Sequence, residues 1–183
     1  MRDNKDLRIF FALWPSALLR EQLGNASKTI LVKHPARRVP DYNLHLTLHF
    51  IGNVYRDQLV CMQQQARLIE ARGFEFDIDC QGYFSKPRVA WLGCSEVPDA
   101  LRELHHQLGQ GLCHCDYQPE SRRYHPESRR YHPHITVARK IKSISSCSNF
   151  ESMRWRVDKF VLIESRSTGS GVEYRVIDNY DLT

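Results

Sequence analysis

The pattern His-x-Thr-x occurs twice in this chain, as His45-Leu46-Thr47-Leu48 and His134-Ile135-Thr136-Val137, each inside an apolar run. A β-strand sends alternate side chains to one face. Each run therefore dictates a half-buried strand, with His and Thr on one side and aliphatic residues on the other. With nine His and five Thr in 183 residues, only about 0.25 His-x-Thr triplets arise by chance. A single strand histidine is usually a satisfied core residue, but a doubled pattern in matching apolar settings points to function. Two such strands side by side would present two imidazoles and two hydroxyls to one bound group.

The rest of the chain supplies a frame for these strands. Residues 7–14 are continuously apolar and read as a buried strand closed by Pro15. A helix follows over 17–30, then a loop marked by Pro35 and Pro40, then the first motif strand over 43–51. Residues 58–72 have helical spacing with Gly73 as the cap, and 74–80 alternate strictly as a strand. A turn over 82–87 leads into 89–92, which pairs back as a hairpin. A third helix covers 98–112, the second motif strand covers 133–138, and strands over 155–164 and 171–180 complete the chain. Seven strands and three helices in this order predict an α+β domain spanning 1–183. Because the motif strands fall in different halves, the expected form is bilobal: mostly antiparallel sheets, helices outside, and the site in a groove between two lobes.

Composition narrows the partners. Lys and Arg outnumber Asp and Glu by 26 to 21, and the chain is 42% hydrophobic, which suits a folded protein with an anionic ligand. The basic surplus clusters at Arg37-Arg38, Arg122-Arg123, Arg129-Arg130 and Arg139-Lys140, all near one motif or the other in sequence. No apolar run approaches the length of a signal segment or a membrane span. The six cysteines form no C-x-x-C pair, so free thiols in a reducing cytoplasm are expected. Cys113-His114-Cys115 lacks the usual zinc spacing, and no metal site is predicted.

The seven residues Pro119 to His125 are repeated verbatim as Pro126 to His132. Two copies are too few for a repeat architecture. An odd-length insertion absorbed into a strand would reverse its faces, so the duplication should bulge outward from the loop. Only the second copy runs into Pro133-His134, which leaves His125 and His132 as loop residues.

The motifs, together with residues 8–13, 43–52, 88–93 and 132–139, resemble the two-histidine phosphoesterases. The nearer resemblance is to the bacterial RNA 2′,3′-cyclic phosphodiesterases, historically called 2′-5′ RNA ligases. That resemblance implies a pseudo-twofold bilobal fold and metal-free, cofactor-free opening of 2′,3′-cyclic phosphate RNA ends or nucleotides to 2′-phosphates. It also implies a reverse ATP-independent joining. By the same analogy, His45 would be the acid toward the leaving 3′-oxygen and His134 the base toward water.

The residue types suit that chemistry independently. Imidazoles have a pKa of about 6.5 and serve as acid or base near neutrality. The hydroxyls of Thr47 and Thr136 can donate to phosphoryl oxygens. Arg139 is a candidate for a phosphate contact or for packing on the base. Phe50 resembles the family's stacking aromatic, yet strand parity sets it with Leu46 and Leu48 on the core side unless the strand bulges. By parity His49 lies with His45. The chain is expected to be a monomer, and the alternative is a non-catalytic nucleotide-binding or RNA-end-binding module that keeps the groove without turnover.

Overall fold

A computed structural model describes residues 7–31, 36–117, 131–142, 150–169 and 171–183. The duplicated loop, except Tyr131 and His132, lies outside the described residues, as do Arg122, Arg123, Arg129 and Arg130. Among the described residues, ten strands and three α-helices follow in the order β1 (Leu7–Leu13), α1 (Ala17–Leu31), β2 (Arg37–Arg38), β3 (Leu46–Val54), α2 (Arg56–Arg67), β4 (Phe74–Ile78), β5 (Cys80–Phe84), β6 (Val89–Gly93), α3 (Asp99–Cys113), β7 (His134–Arg139), β8 (Met153–Val157), β9 (Lys159–Thr168) and β10 (Gly171–Asp181). A 3₁₀ turn over Asp41–Asn43 leads into β3.

One large sheet has the order β10-β9-β1-β3-β7-β6-β5, with β2 on β7, and β4 pairs with β8 in a second sheet. Every pairing is antiparallel. The large sheet divides where β3 meets β7, because Leu46 and Ile135 are the one pair in register there. Four strands stand on one side and β7, β6, β5 and β2 on the other, which is the expected two-lobed arrangement. The helices lie outside: α1 packs on β7 and β8, α3 on β3, and α2 against α3 and β10.

β1 is apolar on both faces because it has a core on each. Ile9, Phe11 and Leu13 enter the main core. Phe10 and Ala12 join Val161 and Ile163 in a second cluster, and Phe10 also lines the groove described below.

Several boundaries differ from the sequence reading. The stretch 74–80 is two strands, broken at Asp79 and belonging to different sheets, and 155–164 is broken likewise at Asp158. The alternation continues across the first break, so periodicity alone could not reveal it, whereas the polar pair Asp158-Lys159 interrupts the pattern at the second. α2 stops at Arg67, well short of Gly73, and Gly82 lies in β5 rather than in a turn. β2, inside the Pro35–Pro40 loop, has only two residues, too few for any pattern.

The cysteines also depart from expectation. Cys61 on α2 and Cys115 beyond α3 form a disulfide, with Cα atoms 5.8 Å apart. Free thiols were expected because sequence spacing carries no trace of the α2–α3 packing that brings them together. Cys80, Cys94 and Cys113 are free. Among the described residues, no helix is long and apolar enough to cross a membrane.

Candidate active site

The residues paired at the seam, Leu46 and Ile135, are the central positions of the two motifs. Antiparallel pairing about them sets His45 alongside Thr136 and Thr47 alongside His134. The intervening aliphatic residues go to the core, where Leu46 and Ile135 are fully buried. The four polar side chains are half-buried and line one cavity of about 810 Å³. The seam thus produces a local pseudo-twofold axis between two His-Thr pairs.

Each imidazole is held in the same way. His45 Nδ1–H donates to the carbonyl of Asn43 at 2.7 Å, and His134 Nδ1–H donates to the carbonyl of His132 at 2.7 Å. A carbonyl only accepts, so both Nδ1 atoms carry hydrogen, and Nε2 is the nitrogen available to a ligand. Aromatic walls fix the ring planes. His45 is flanked by Phe10 at 4.8 Å, Tyr174 at 5.1 Å and Trp14 at 5.8 Å. His134 stands 5.1 Å from Phe84 and 6.5 Å from Trp91.

These surroundings hold both rings neutral near pH 7. Burial pushes the His45 pKa down to about 4, opposed by the bond to Asn43 and aided by the charges of Arg139 and His134. Burial likewise lowers His134, opposed by its bond to the His132 carbonyl and aided by His132 and Arg139. An anion between the rings acts in the opposite sense, raising both.

Phe50 is on the groove side and 40% exposed. The cause is a bulge. Ala12 pairs with Thr47 and Phe11 with His49, so Leu48 has no partner on β1 and the faces exchange beyond it. His49 is turned to the opposite side from the one parity assigned. It is 5% exposed, its ring N–H donates to the His105 carbonyl at 2.8 Å, and it stacks on the His105 ring at 4.2 Å. The stack continues to Tyr131 at 3.8 Å, whose hydroxyl donates to the Thr47 carbonyl at 3.1 Å. The residue entering the second motif therefore braces the first.

Arg139 closes β7, is exposed, and lines the same cavity. Arg8, Arg37 and Arg38 join it, and Arg8 lies over the Phe50 ring at 5.1 Å. Sequence reasoning did not select Phe10, Trp14, Tyr174, Phe84, Trp91 or Arg8. Each sits on a strand or strand end far from its histidine in sequence, so spacing offers no signal. Among the described residues, no group of three or more His, Cys, Asp or Glu is placed to hold a metal ion.

Comparison with known proteins agrees with this geometry. The sequence model of the 2′-5′ RNA ligase superfamily matches residues 19–169. The RNA 2′,3′-cyclic phosphodiesterase of Thermotoga maritima is 27% identical over 93% of both chains. That of Escherichia coli K12 is 35% identical over 55% of this chain and 57% of its own length. Among solved structures, E. coli LigT complexed with 3′-AMP superposes with a TM-score of 0.84 at 26% identity, covering 98% of this chain and 99% of that one. A phosphoesterase crystal structure gives 0.86 at 27% identity, with the same coverage. With two matching His-x-Thr strands at one seam, and with the family model covering most of its length, this chain belongs to the 2′-5′ RNA ligase superfamily.

Proposed function

We propose that the chain is an RNA 2′,3′-cyclic phosphodiesterase that opens the ring to leave a 2′-phosphate and a 3′-hydroxyl. The observation that carries this reading is the matched pair of imidazoles, each anchored through Nδ1 to a carbonyl two residues upstream and lining one cavity. The names of the relatives support the same chemistry.

In the reaction, His134 Nε2 takes a proton from water as the water oxygen bonds to phosphorus. The bond from phosphorus to O3′ breaks, and His45 Nε2–H gives its proton to that oxygen. The phosphate charge raises the His45 pKa from its low value in the empty groove, which loads the acid on binding. Thr47 and Thr136 donate to the non-bridging oxygens, where charge grows. Arg139 faces the phosphate, and Phe50 offers a stacking surface to the base. Replacing water by a 5′-hydroxyl gives the reverse joining, and cleavage at O3′ makes that linkage 2′-5′. This chemistry uses side chains only and asks nothing of a metal or cofactor. One chain supplies both histidines, so a monomer suffices as the working unit.

The test is phosphorus NMR of the product from an oligonucleotide ending in a 2′,3′-cyclic phosphate. A 2′-phosphomonoester is expected. A 3′-phosphate, or no turnover with binding retained, would refute the reading and favour a non-catalytic binding module.

A further inference from the structure

The cavity carries more positive charge than the reacting phosphate uses. Its described lining includes Arg8, Arg37, Arg38 and Arg139 against one acidic residue, Glu173. Arg38 is paired with Asp41. Among the described residues, Arg8, Arg37 and Arg139 form no ion pair with a carboxylate.

Arg37 and Arg139 stand directly opposite each other across the β2–β7 ladder. Opposed like charges on neighbouring strands repel. Yet a two-residue strand is spent on holding Arg37 there. Its guanidinium rests against the start of β10, where a Cβ on Gly171 would lie 3.1 Å from Arg37 Nη2. Two anions, one in front of each guanidinium group, turn this repulsion into paired attraction.

Resting on the proposed cyclic-phosphodiesterase activity, we infer that Arg37 binds a second phosphate, on the 5′ side of the ribose that carries the cyclic phosphate. With Arg139 committed to the reacting phosphate, Arg38 paired with Asp41 and Arg8 lying over the Phe50 ring, Arg37 is the cavity-lining arginine left to meet another anion. The preferred substrate is then a nucleotide unit with phosphates on both sides of its ribose. That unit occurs as the last residue of an RNA chain or as a free 5′-phosphorylated cyclic nucleotide.

Steady-state kinetics on three substrates tests this: adenosine 2′,3′-cyclic phosphate, its 5′-phosphorylated form, and the dinucleotide ApA ending in a cyclic phosphate. In the unaltered protein, the 5′-side phosphate should raise kcat/KM by about tenfold, mainly through KM. It should also steepen the salt dependence by a log–log slope of about 0.7. Arg37→Ala should erase most of that gain, and Arg37→Lys should keep part of it. Equal gains for the mononucleotide and the dinucleotide mean that the phosphate alone is read. A larger gain for the dinucleotide identifies RNA ends as the favoured source.

A gain with the dinucleotide alone, no gain at all, or a gain that survives Arg37→Ala overturns the subsite while leaving the activity intact. A protein inert on all three substrates overturns the activity and the subsite together. Arg37 is exposed on a short edge strand, so folding of its variants is checked simply by their melting temperature.

Discussion

Gly82 is the position at which one added carbon should reach the chemistry. It faces Trp91 across the β5–β6 ladder, and a Cβ there would lie 2.0 Å from Trp91 Cζ2 and 2.4 Å from Cε2. Carbon atoms rest about 3.5 Å apart, so the indole must retreat by about 1.5 Å. The ring is rigid and wedged against Phe84 at 5.5 Å and His132 at 4.7 Å. Phe84 is the near wall of His134, and the His132 carbonyl holds the His134 tautomer. Overpacking of this kind costs about 1–3 kcal/mol of stability. A misplacement of about 1 Å at a reacting group costs on the order of 10²-fold in rate, or about 2.7 kcal/mol on the barrier.

Gly82→Ala should therefore remain folded with a lowered melting temperature and lose about a hundredfold in kcat on a cyclic mononucleotide. Gly111→Ala is the control. It lies inside α3, its added Cβ meets Gln65 at an ordinary 3.5 Å, and it should gain a few tenths to about 1 kcal/mol of stability at full activity. If Gly82→Ala keeps wild-type kcat while folded, the aromatic wall does not position His134, and that reasoning fails.

Replacing His45 or His134 by Ala should each cost about 10²–10⁴-fold in kcat, with activity of the unaltered protein surviving chelator; abolition by EDTA would exclude the scheme. Because burial lowers the pKa of His45 and His134, the bell-shaped profile of kcat/KM expected of the proposed acid–base pair should centre on the acid side of 6.5. That of kcat should move alkaline, since bound phosphate favours the protonated rings. The same lowering means that the unfolded chain binds more protons than the fold. Stability should therefore fall on acidification from about pH 6.5, where unfolded histidines charge, toward the His45 value of about 4; a flat denaturation midpoint across that window would contradict the burial. Reducing the Cys61–Cys115 bond opens a loop of 54 residues and should lower stability by about 4 kcal/mol on the chain-entropy estimate; coincident denaturation curves with and without reductant would refute it.

The site was legible where it depends on short-range pattern. That His45, Thr47, His134 and Thr136 line one cavity is readable in advance because two-residue alternation alone decides which side chains share a face, and both motifs keep it. The same rule misassigned His49 and left Phe50 ambiguous because one extra residue, Leu48, breaks it. Nothing in an alternating sequence marks the residue that goes unpaired. Arg37 stood out as part of a basic pair, but its place opposite Arg139 depends on a strand too short to carry a signal. The Cys61–Cys115 bond and the His49–His105–Tyr131 stack join residues far apart in the chain, and long-range packing of that kind leaves no imprint on local spacing.

Two rigid plates meet at the single Leu46–Ile135 bridge, with one imidazole mounted beside the joint on each plate. Backbone bonding there is too sparse to lock the angle between them, so the angle is governed by struts that cross from one plate to the other. α1 is such a strut: it bears on β7, and its Leu19, Leu23 and Ile30 share the main core with Ile9, Phe11 and Leu13 of β1. The spacing between the two imidazoles thus answers to the far side of the molecule, to the apolar seat of a helix with no residue in the cavity lining.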